Sequence, residues 1–299
     1  MTMAWSEKST NVRFMHGFGA ALDGLSGLLR LPDAVDRAVD DFLSPERVVT
    51  PPALPEPGGR SLPLAVPDWP THINARVWDR TGDGTAPTVL LVHGWEGQMY
   101  DLGPFVAPLL DRGFRVVAFD APAHGRSFGD QSSLPEMAKA VAAVAKAAGP
   151  LHGAIGHSLG AAALMLALEE GLRVGRVVLA ATPAEPLDYA LLCAKAHRLD
   201  ADETAEMLRR LDTRLPRPIT GLSLAAIADG LTVPALFLHA TDDRIAQVGA
   251  ALHVAALWKG ARVRLEDGLG HRRLLKAPAV VAEAVAFLAS GIDRGSPVG

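Results

Sequence analysis

A serine flanked by glycines occurs at residues 156–160, in the order Gly-His-Ser-Leu-Gly. The apolar run before it, 151–155, predicts a short buried strand, and the alanine-rich run after it, 161–168, predicts a helix. A tight turn between a strand and a helix strains the serine backbone and pushes the hydroxyl out of the packing. Glycine has no Cβ, so the strand and the helix can pass closely. We therefore predict that Ser158 is a nucleophile.

A serine hydroxyl needs a general base to take its proton. The chain has ten histidines, and His271 stands out because residues 268–271 predict a flexible loop after a strand that ends near Leu265. A loop beyond the carboxyl end of a strand can reach the nucleophile, whereas a histidine on a helix face usually cannot. His271 is therefore the predicted base.

The base in turn needs a carboxylate that fixes its tautomer. Asp243 follows a predicted strand at 233–239 and is the first choice, with its neighbour Asp242 as the alternative. Glu185 and Asp188, after the strand that ends at Ala180, are further alternatives.

Two backbone N–H groups are predicted to form an oxyanion hole. One is that of Leu159 at the start of the serine helix, and the other is that of Trp95, directly after another predicted strand. Trp95, Met99 and Tyr100 are tentative substrate-binding residues, although plain packing explains them equally well. Residues 16–19, His-Gly-Phe-Gly, have a composition similar to that of the run at 93–97, but no predicted strand precedes them, so we discount them as an oxyanion loop.

Strands alternate with helices along most of the chain. The predicted strands are 73–78, 88–93, 114–120, 151–155, 174–180, 233–239 and 261–265, and the predicted helices include 33–43, 102–112, 134–148, 201–211 and 277–288. Such alternation predicts an α/β fold with a doubly wound, mostly parallel sheet. The loops at the carboxyl ends of its strands then form the site.

The alternation divides the chain into four parts. Residues 1–45 form an N-terminal helical arm, 46–182 the first part of the core, 183–230 a small helical lid, and 231–299 the second part of the core. Within the lid, Asp200 and Glu203 have the spacing of a capping box. The arm has no assigned role.

The composition excludes several classes of protein. A net charge of −4 with interspersed signs gives no indication of nucleic acid binding, and 49% hydrophobic residues exclude a disordered chain. The single cysteine, Cys193, allows no intrachain disulfide and makes a cysteine-based metal site implausible. No run is long enough to span a membrane and no continuous secretory segment is present, so we expect a cytoplasmic protein.

The order Ser158, Asp243, His271, with residues 93–95 ahead of residues 120–127, resembles the α/β-hydrolase superfamily. The likeness extends from about residue 73 to about residue 290. It implies a serine hydrolase similar to esterases and lipases, with no metal and no organic cofactor. Dehalogenases and epoxide hydrolases of this superfamily have aspartate as the nucleophile, so the serine excludes them.

Two further histidines receive no catalytic role from this resemblance. His124 lies in the superfamily's structural loop, where the usual Pro-Gly-His-Gly reads Pro-Ala-His-Gly at 122–125. His157, beside the nucleophile, is common in lipase-like and esterase-like members.

The expected reaction is cleavage of a small-molecule carboxylic ester or thioester through an acyl-enzyme on Ser158. Carbon–carbon hydrolases and perhydrolases share the same triad and remain alternatives. A second class is a hydrolase-fold receptor that binds a small molecule without turnover. The sequence leaves the substrate and the oligomeric state open.

Overall fold

A computed structural model of the chain describes residues 32–49, 59–62, 64 and 72–290. Its centre is an eight-stranded sheet with the order β1-β2-β4-β3-β5-β6-β7-β8. The strands are β1 (Arg60–Ser61), β2 (Ala75–Trp78), β3 (Thr88–Val92), β4 (Arg115–Phe119), β5 (Leu151–His157), β6 (Val174–Ala180), β7 (Ala235–Ala240) and β8 (Arg262–Glu266).

From β4 to β8 the neighbouring strands are parallel, whereas β1 pairs antiparallel with β2 and β2 antiparallel with β4. Every residue of β3, β4 and β7 is buried, which explains why these strands are continuous apolar runs rather than alternating ones. The predicted doubly wound, mostly parallel sheet is confirmed.

Ten helices are present in the described residues. They are α1 (Ala34–Leu43), α2 (Gly103–Asp111), α3 (Leu134–Ala148), α4 (Leu159–Glu169), α5 (Pro186–Ala196), α6 (Ala201–Arg214), α7 (Leu224–Gly230), α8 (Val248–Leu257), α9 (Gly270–Arg273) and α10 (Pro278–Ala289). Short 3₁₀ turns at Met99–Leu102 and Leu274–Lys276 precede α2 and α10. Helices α2 and α10 pack on one face of the sheet, and α3, α4, α7 and α8 pack on the other.

A third apolar cluster lies outside these two layers. It joins α1 to α5 and α6 through buried residues that include Val39, Leu43, Cys193, Met207 and Leu211. Polar contacts reinforce this packing, because the Arg210 guanidinium of α6 bonds carboxylates of α1. The helix predicted in the N-terminal arm thus packs on helices of the 183–230 segment.

Several local expectations differ from the structure. The predicted strand at 73–78 is shorter, at Ala75–Trp78, and neither β1 nor α8 was predicted. His271 lies in the short helix α9 and not in a flexible loop.

The predicted capping box of Asp200 and Glu203 is present, with Glu203 N donating to Asp200 Oδ1 at 2.9 Å and Asp200 N donating to Glu203 Oε2 at 3.0 Å.

The discounted run at 16–19 and most of the N-terminal arm lie outside the described residues. Within the described part of the chain, no helix is long and apolar enough to cross a bilayer.

Candidate active site

Ser158 occupies the sharp turn between β5 and α4. Its backbone has φ 52° and ψ −124°, a conformation that non-glycine residues rarely adopt. The Ser158 N–H donates to the Ala180 carbonyl at 2.9 Å, which ties this turn to the end of β6. Such strain persists only where the surroundings enforce it, and it is typical of functional positions.

Three glycines make room for this turn. A Cβ on Gly160 would lie 2.3 Å from the His93 carbonyl oxygen, and one on Gly156 would lie 2.7 Å from Ala161 Cα. A Cβ on Gly94 would lie 2.9 Å from the Ser158 Cβ. The predicted close approach of strand and helix is therefore present, and it also includes the loop after β3.

Asp243 and His271 meet at the carboxyl ends of β7 and β8. His271 Nδ1 donates to Asp243 Oδ2 at 2.8 Å, and the other oxygen, Oδ1, accepts the N–H groups of Ile245 (2.8 Å) and Ala246 (2.9 Å). Burial by itself raises the pKa of Asp243, but the hydrogen bond and charge of His271 and these N–H donors outweigh it and lower the pKa. Asp243 is thus a buried carboxylate.

The alternative acids have other partners. Asp242 is exposed and accepts the Gly270 N–H at 2.9 Å, which holds the start of α9. Glu185 accepts the N–H groups of Leu224 (2.6 Å) and Ala225 (3.0 Å) at the start of α7, and Asp188 is exposed. Of these acids, Asp243 is the one that contacts His271.

Two further buried histidines surround this pair. His157 Nε2 donates to the His271 carbonyl oxygen at 3.1 Å, and burial lowers the pKa of His157 to about 3, so its ring is neutral. His239 Nε2 donates to the Ala246 carbonyl at 2.8 Å and lies 3.6 Å from Asp243 Oδ2. His239 has no local sequence signal of a functional role, because a histidine inside a strand resembles an ordinary core residue.

The loops after β3 and β4 are held by two more histidines. His93 Nε2 accepts the Ala121 N–H at 2.8 Å, so its proton is on Nδ1 and donates to the Gly94 carbonyl at 2.7 Å. His124 Nδ1 donates to the Pro122 carbonyl at 2.7 Å, and burial lowers the pKa of His124 to about 3. Both rings are structural supports for backbone beside Ser158.

The predicted oxyanion donors, the N–H groups of Leu159 and Trp95, directly follow Ser158 and Gly94 in the chain. Leu159 is the first residue of α4, and Trp95 follows Gly94, whose Cα lies against the serine. Within the described residues, neither N–H donates a hydrogen bond to a protein acceptor. Both are thus available to an oxygen atom of a bound molecule.

Ser158 and His271 open into a cavity of about 450 Å³. Trp95 lines it, but Met99 and Tyr100 do not. Met99 is 1% exposed in the core under α2, and Tyr100 packs against the same cluster. The tentative assignment of these two residues to substrate binding is therefore corrected: the turn after β3 directs them into the core.

Most of the apolar wall comes from residues that carry no functional signal in the sequence. They are Phe42, Leu134, Pro135, Pro183, Pro186, Tyr189, Leu192, Leu215, Ile219, Leu222, Ile245 and Leu275. Phe42 belongs to α1, and the residues from Pro183 to Leu222 belong to the segment predicted as a lid. No local pattern marks such residues, because only packing brings them together.

Potential metal ligands approach one another outside this cavity. Ligand atoms of Asp41, Cys193 and His197 lie within 4.8 Å of each other. However, the Cys193 thiol contacts the Ala38 carbonyl at 3.6 Å, and burial raises its pKa to about 12. A protonated thiol is a poor ligand, so we assign no metal to this group.

Comparison with known proteins places this geometry in context. The sequence model described as the alpha/beta hydrolase family matches residues 89–284. Among curated protein sequences, none matches the chain.

Solved structures with the same fold include two esterases. An esterase from Pyrococcus furiosus is 17% identical, with 82% of this chain and 96% of that chain covered and a TM-score of 0.62. An esterase from Rhodococcus sp. is 22% identical, covering 74% and 95% with a TM-score of 0.55. The alpha/beta hydrolase domain-containing protein 10 from mouse is 19% identical, covering 79% and 100% with a TM-score of 0.58. At these identities the likeness establishes the fold alone.

Proposed function

Because the chain belongs to the alpha/beta hydrolase family, we propose that it is a serine hydrolase that cleaves a carboxylic ester or thioester through an acyl-enzyme on Ser158. One observation carries the proposal. The strained Ser158 and His271, which is hydrogen-bonded to the buried Asp243, line one cavity, and the three residues follow three parallel strands. Nucleophile, base and orienting acid in this relation are what acyl transfer requires.

Proton transfer follows from the hydrogen bonds around His271. Both carboxylate oxygens of Asp243 can only accept, so the 2.8 Å bond places the imidazole proton on Nδ1 and leaves Nε2 as an acceptor. Nε2 takes the proton of the Ser158 hydroxyl as Oγ attacks the carbonyl carbon. The resulting imidazolium is stabilised by the ionised Asp243 and returns the proton to the leaving group.

The tetrahedral intermediate needs donors for its negative oxygen. In the proposed mechanism the N–H groups of Leu159 and Trp95 supply them, and Leu159 also lies at the positive end of the α4 dipole. Loss of one such donor typically costs about 10²–10³ in rate. Water, activated by His271, then hydrolyses the acyl-enzyme and frees Ser158.

The apolar wall suits the acyl part of a substrate. We propose that residues 183–230 act as a lid, because Pro186, Tyr189, Leu192, Ile219 and Leu222 from this segment line the cavity above Ser158. Exclusion of water by such a lid would strengthen the hydrogen bonds to the oxyanion.

Labelling with a fluorophosphonate probe tests the nucleophile. Wild type should be labelled and should hydrolyse p-nitrophenyl esters, and Ser158→Ala should lose both properties. Ser132→Ala is the matched control, since Ser132 lines the same cavity and should leave labelling intact. Absence of labelling in the wild type, or labelling of Ser158→Ala equal to wild type, contradicts the proposal and favours a binding protein without turnover.

A further inference from the structure

Three cationic side chains line the cavity beside the catalytic histidine. Arg272 directly follows His271, Arg244 directly follows Asp243, and Lys276 lies one helical turn beyond Arg272. All three are exposed, and within the described residues none of them forms an ion pair or a hydrogen bond with a protein group.

The cavity lining has three other charged side chains, Arg217, Glu96 and Asp101. Arg217 pairs with Glu169 at 2.5 Å. In the loop after β3, Glu96 accepts the N–H of Glu46 at 3.2 Å and Asp101 accepts that of Gln98 at 3.1 Å. Among the side chains that line the cavity, the unpaired cations Arg244, Arg272 and Lys276 thus outnumber the carboxylates Glu96 and Asp101.

The proposed mechanism determines which part of a substrate lies beside His271. In the proposed mechanism the acyl oxygen faces the N–H groups of Leu159 and Trp95. His271 protonates the departing alcohol or thiol, so the leaving group must lie on the histidine side. Arg272 directly follows that histidine in the chain, Lys276 lies four residues further on, and both line the same cavity.

We propose that the substrate is an ester or thioester whose leaving group carries an anion, either phosphate or carboxylate, that is bound by Arg244, Arg272 and Lys276. This inference rests on the proposed serine hydrolase activity. Arginine binds such groups through two parallel N–H bonds, and lysine binds them as a point charge. The apolar wall, which includes Leu134, Leu192 and Ile219, then holds the acyl chain.

Paired substrates with one acyl group and different leaving groups test this proposal. Butyryl-coenzyme A, whose thiol part carries phosphates, is compared with the neutral butyryl-N-acetylcysteamine, and the butyryl ester of 4-hydroxybenzoate is compared with that of 4-hydroxybenzamide. We expect kcat/KM of wild type to favour the anionic member of at least one pair by about 10-fold or more at low salt, and the preference to shrink as salt is added. The pair with the larger ratio tells whether phosphate or carboxylate is the anion.

Charge variants distinguish binding from structure. The double variant Arg272→Gln/Lys276→Gln should lower the ratio of anionic to neutral kcat/KM several-fold, and Lys276→Glu should lower it further than Lys276→Gln. Lys259→Gln is the matched control, because Lys259 is exposed and lies outside the cavity. A merely structural role would lower both members of a pair alike and leave the ratio unchanged.

The outcomes separate the two proposals. Suppose that the neutral substrates are turned over and Ser158 is labelled. If the wild-type ratio of anionic to neutral kcat/KM is then near one, or the variants leave that ratio unchanged, only the proposal of an anionic leaving group is overturned. Absence of turnover and of labelling overturns the serine hydrolase and this inference together.

Discussion

At the scale of single residues, Asp243 and Asp242 are neighbours with the same side chain and different surroundings. Asp243 is buried and accepts three hydrogen bonds, from His271, Ile245 and Ala246. Asp242 is exposed and accepts the Gly270 N–H. The first contact fixes the tautomer of the proposed base, whereas the second only holds the start of α9.

The two substitutions to asparagine are therefore expected to differ. Asp243→Asn removes the charge that stabilises the imidazolium and permits the wrong tautomer, so kcat on p-nitrophenyl butyrate should fall by about 10³–10⁴. Asp242→Asn keeps an oxygen that can accept the Gly270 N–H, so kcat should change by less than about 10-fold. The reverse ranking would show that the orienting acid is Asp242.

The candidate site residues Ser158, Asp243 and His271 could be picked out from the sequence because each one follows a recognisable strand. Glycine or aspartate residues beside Ser158, Asp243 and His271 are visible in the sequence, although His271 itself lies in the short helix α9. His239 and Phe42 were not predictable as parts of the site. His239 lies inside β7, and Phe42 is more than 100 residues from Ser158 in the chain, so tertiary packing alone places them.

At the scale of elements, the predicted helices and strands match the structure best where the hydrophobic pattern of the sequence is strong. β6 at Val174–Ala180 and α3 at Leu134–Ala148 coincide with their predicted ranges. Helix α8 was missed because its residues, Val248–Leu257, are apolar on nearly all sides and lack a polar stripe. β1 has only two residues, and its pairing with β2 is what makes it a strand.

Helix α1 is attached to α6 by a network centred on Arg210. The guanidinium bonds Asp33 (2.9 and 3.0 Å), Asp36 (2.7 Å) and Glu206 (2.7 Å). The first two partners are at the start of α1, so this side chain joins the N-terminal helix to the segment predicted as a lid.

We predict that Arg210→Gln loosens α1. Hydrogen exchange of residues 34–43 should become several-fold faster, since the variant loses the two carboxylates of α1. Arg209→Gln is the matched control, because Arg209 bonds Glu206 within its own helix and should leave the exchange of α1 unchanged. Equal exchange in both variants would show that Arg210 is not needed to hold α1, which also has the apolar cluster and the ion pair of Arg214 with Asp40 at 2.6 Å.

At the scale of the whole molecule, four buried histidines support the backbone around the cavity. His93, His124, His157 and His239 lie in the loops and strand ends beside Ser158 and Asp243. Burial lowers the pKa of all four, to about 3 for His124 and His157. Each ring donates one hydrogen bond to a backbone carbonyl and must be neutral to fit its surroundings.

The direction of the pH effect follows from proton binding. In the unfolded chain a histidine has its ordinary pKa near 6.5, so between about pH 6.5 and 3 the unfolded state binds a proton that the native state does not. The stability is fully present above pH 6.5 and is lost as the pH falls. Each such histidine contributes up to about 1.4 kcal/mol per pH unit to this loss.

We therefore predict that the free energy of unfolding, measured by urea titration at several pH values, falls steeply between pH 6.5 and 5. His124→Asn should reduce that slope by up to about 1.4 kcal/mol per pH unit, because asparagine can still donate to the Pro122 carbonyl but cannot be protonated. His253→Asn is the control, since His253 is exposed on α8 and the slope should stay as in wild type. If His124→Asn keeps the wild-type slope, the native wild-type protein holds His124 protonated over this pH range. The Nε2–H of its ring would then need an acceptor, which no described residue provides.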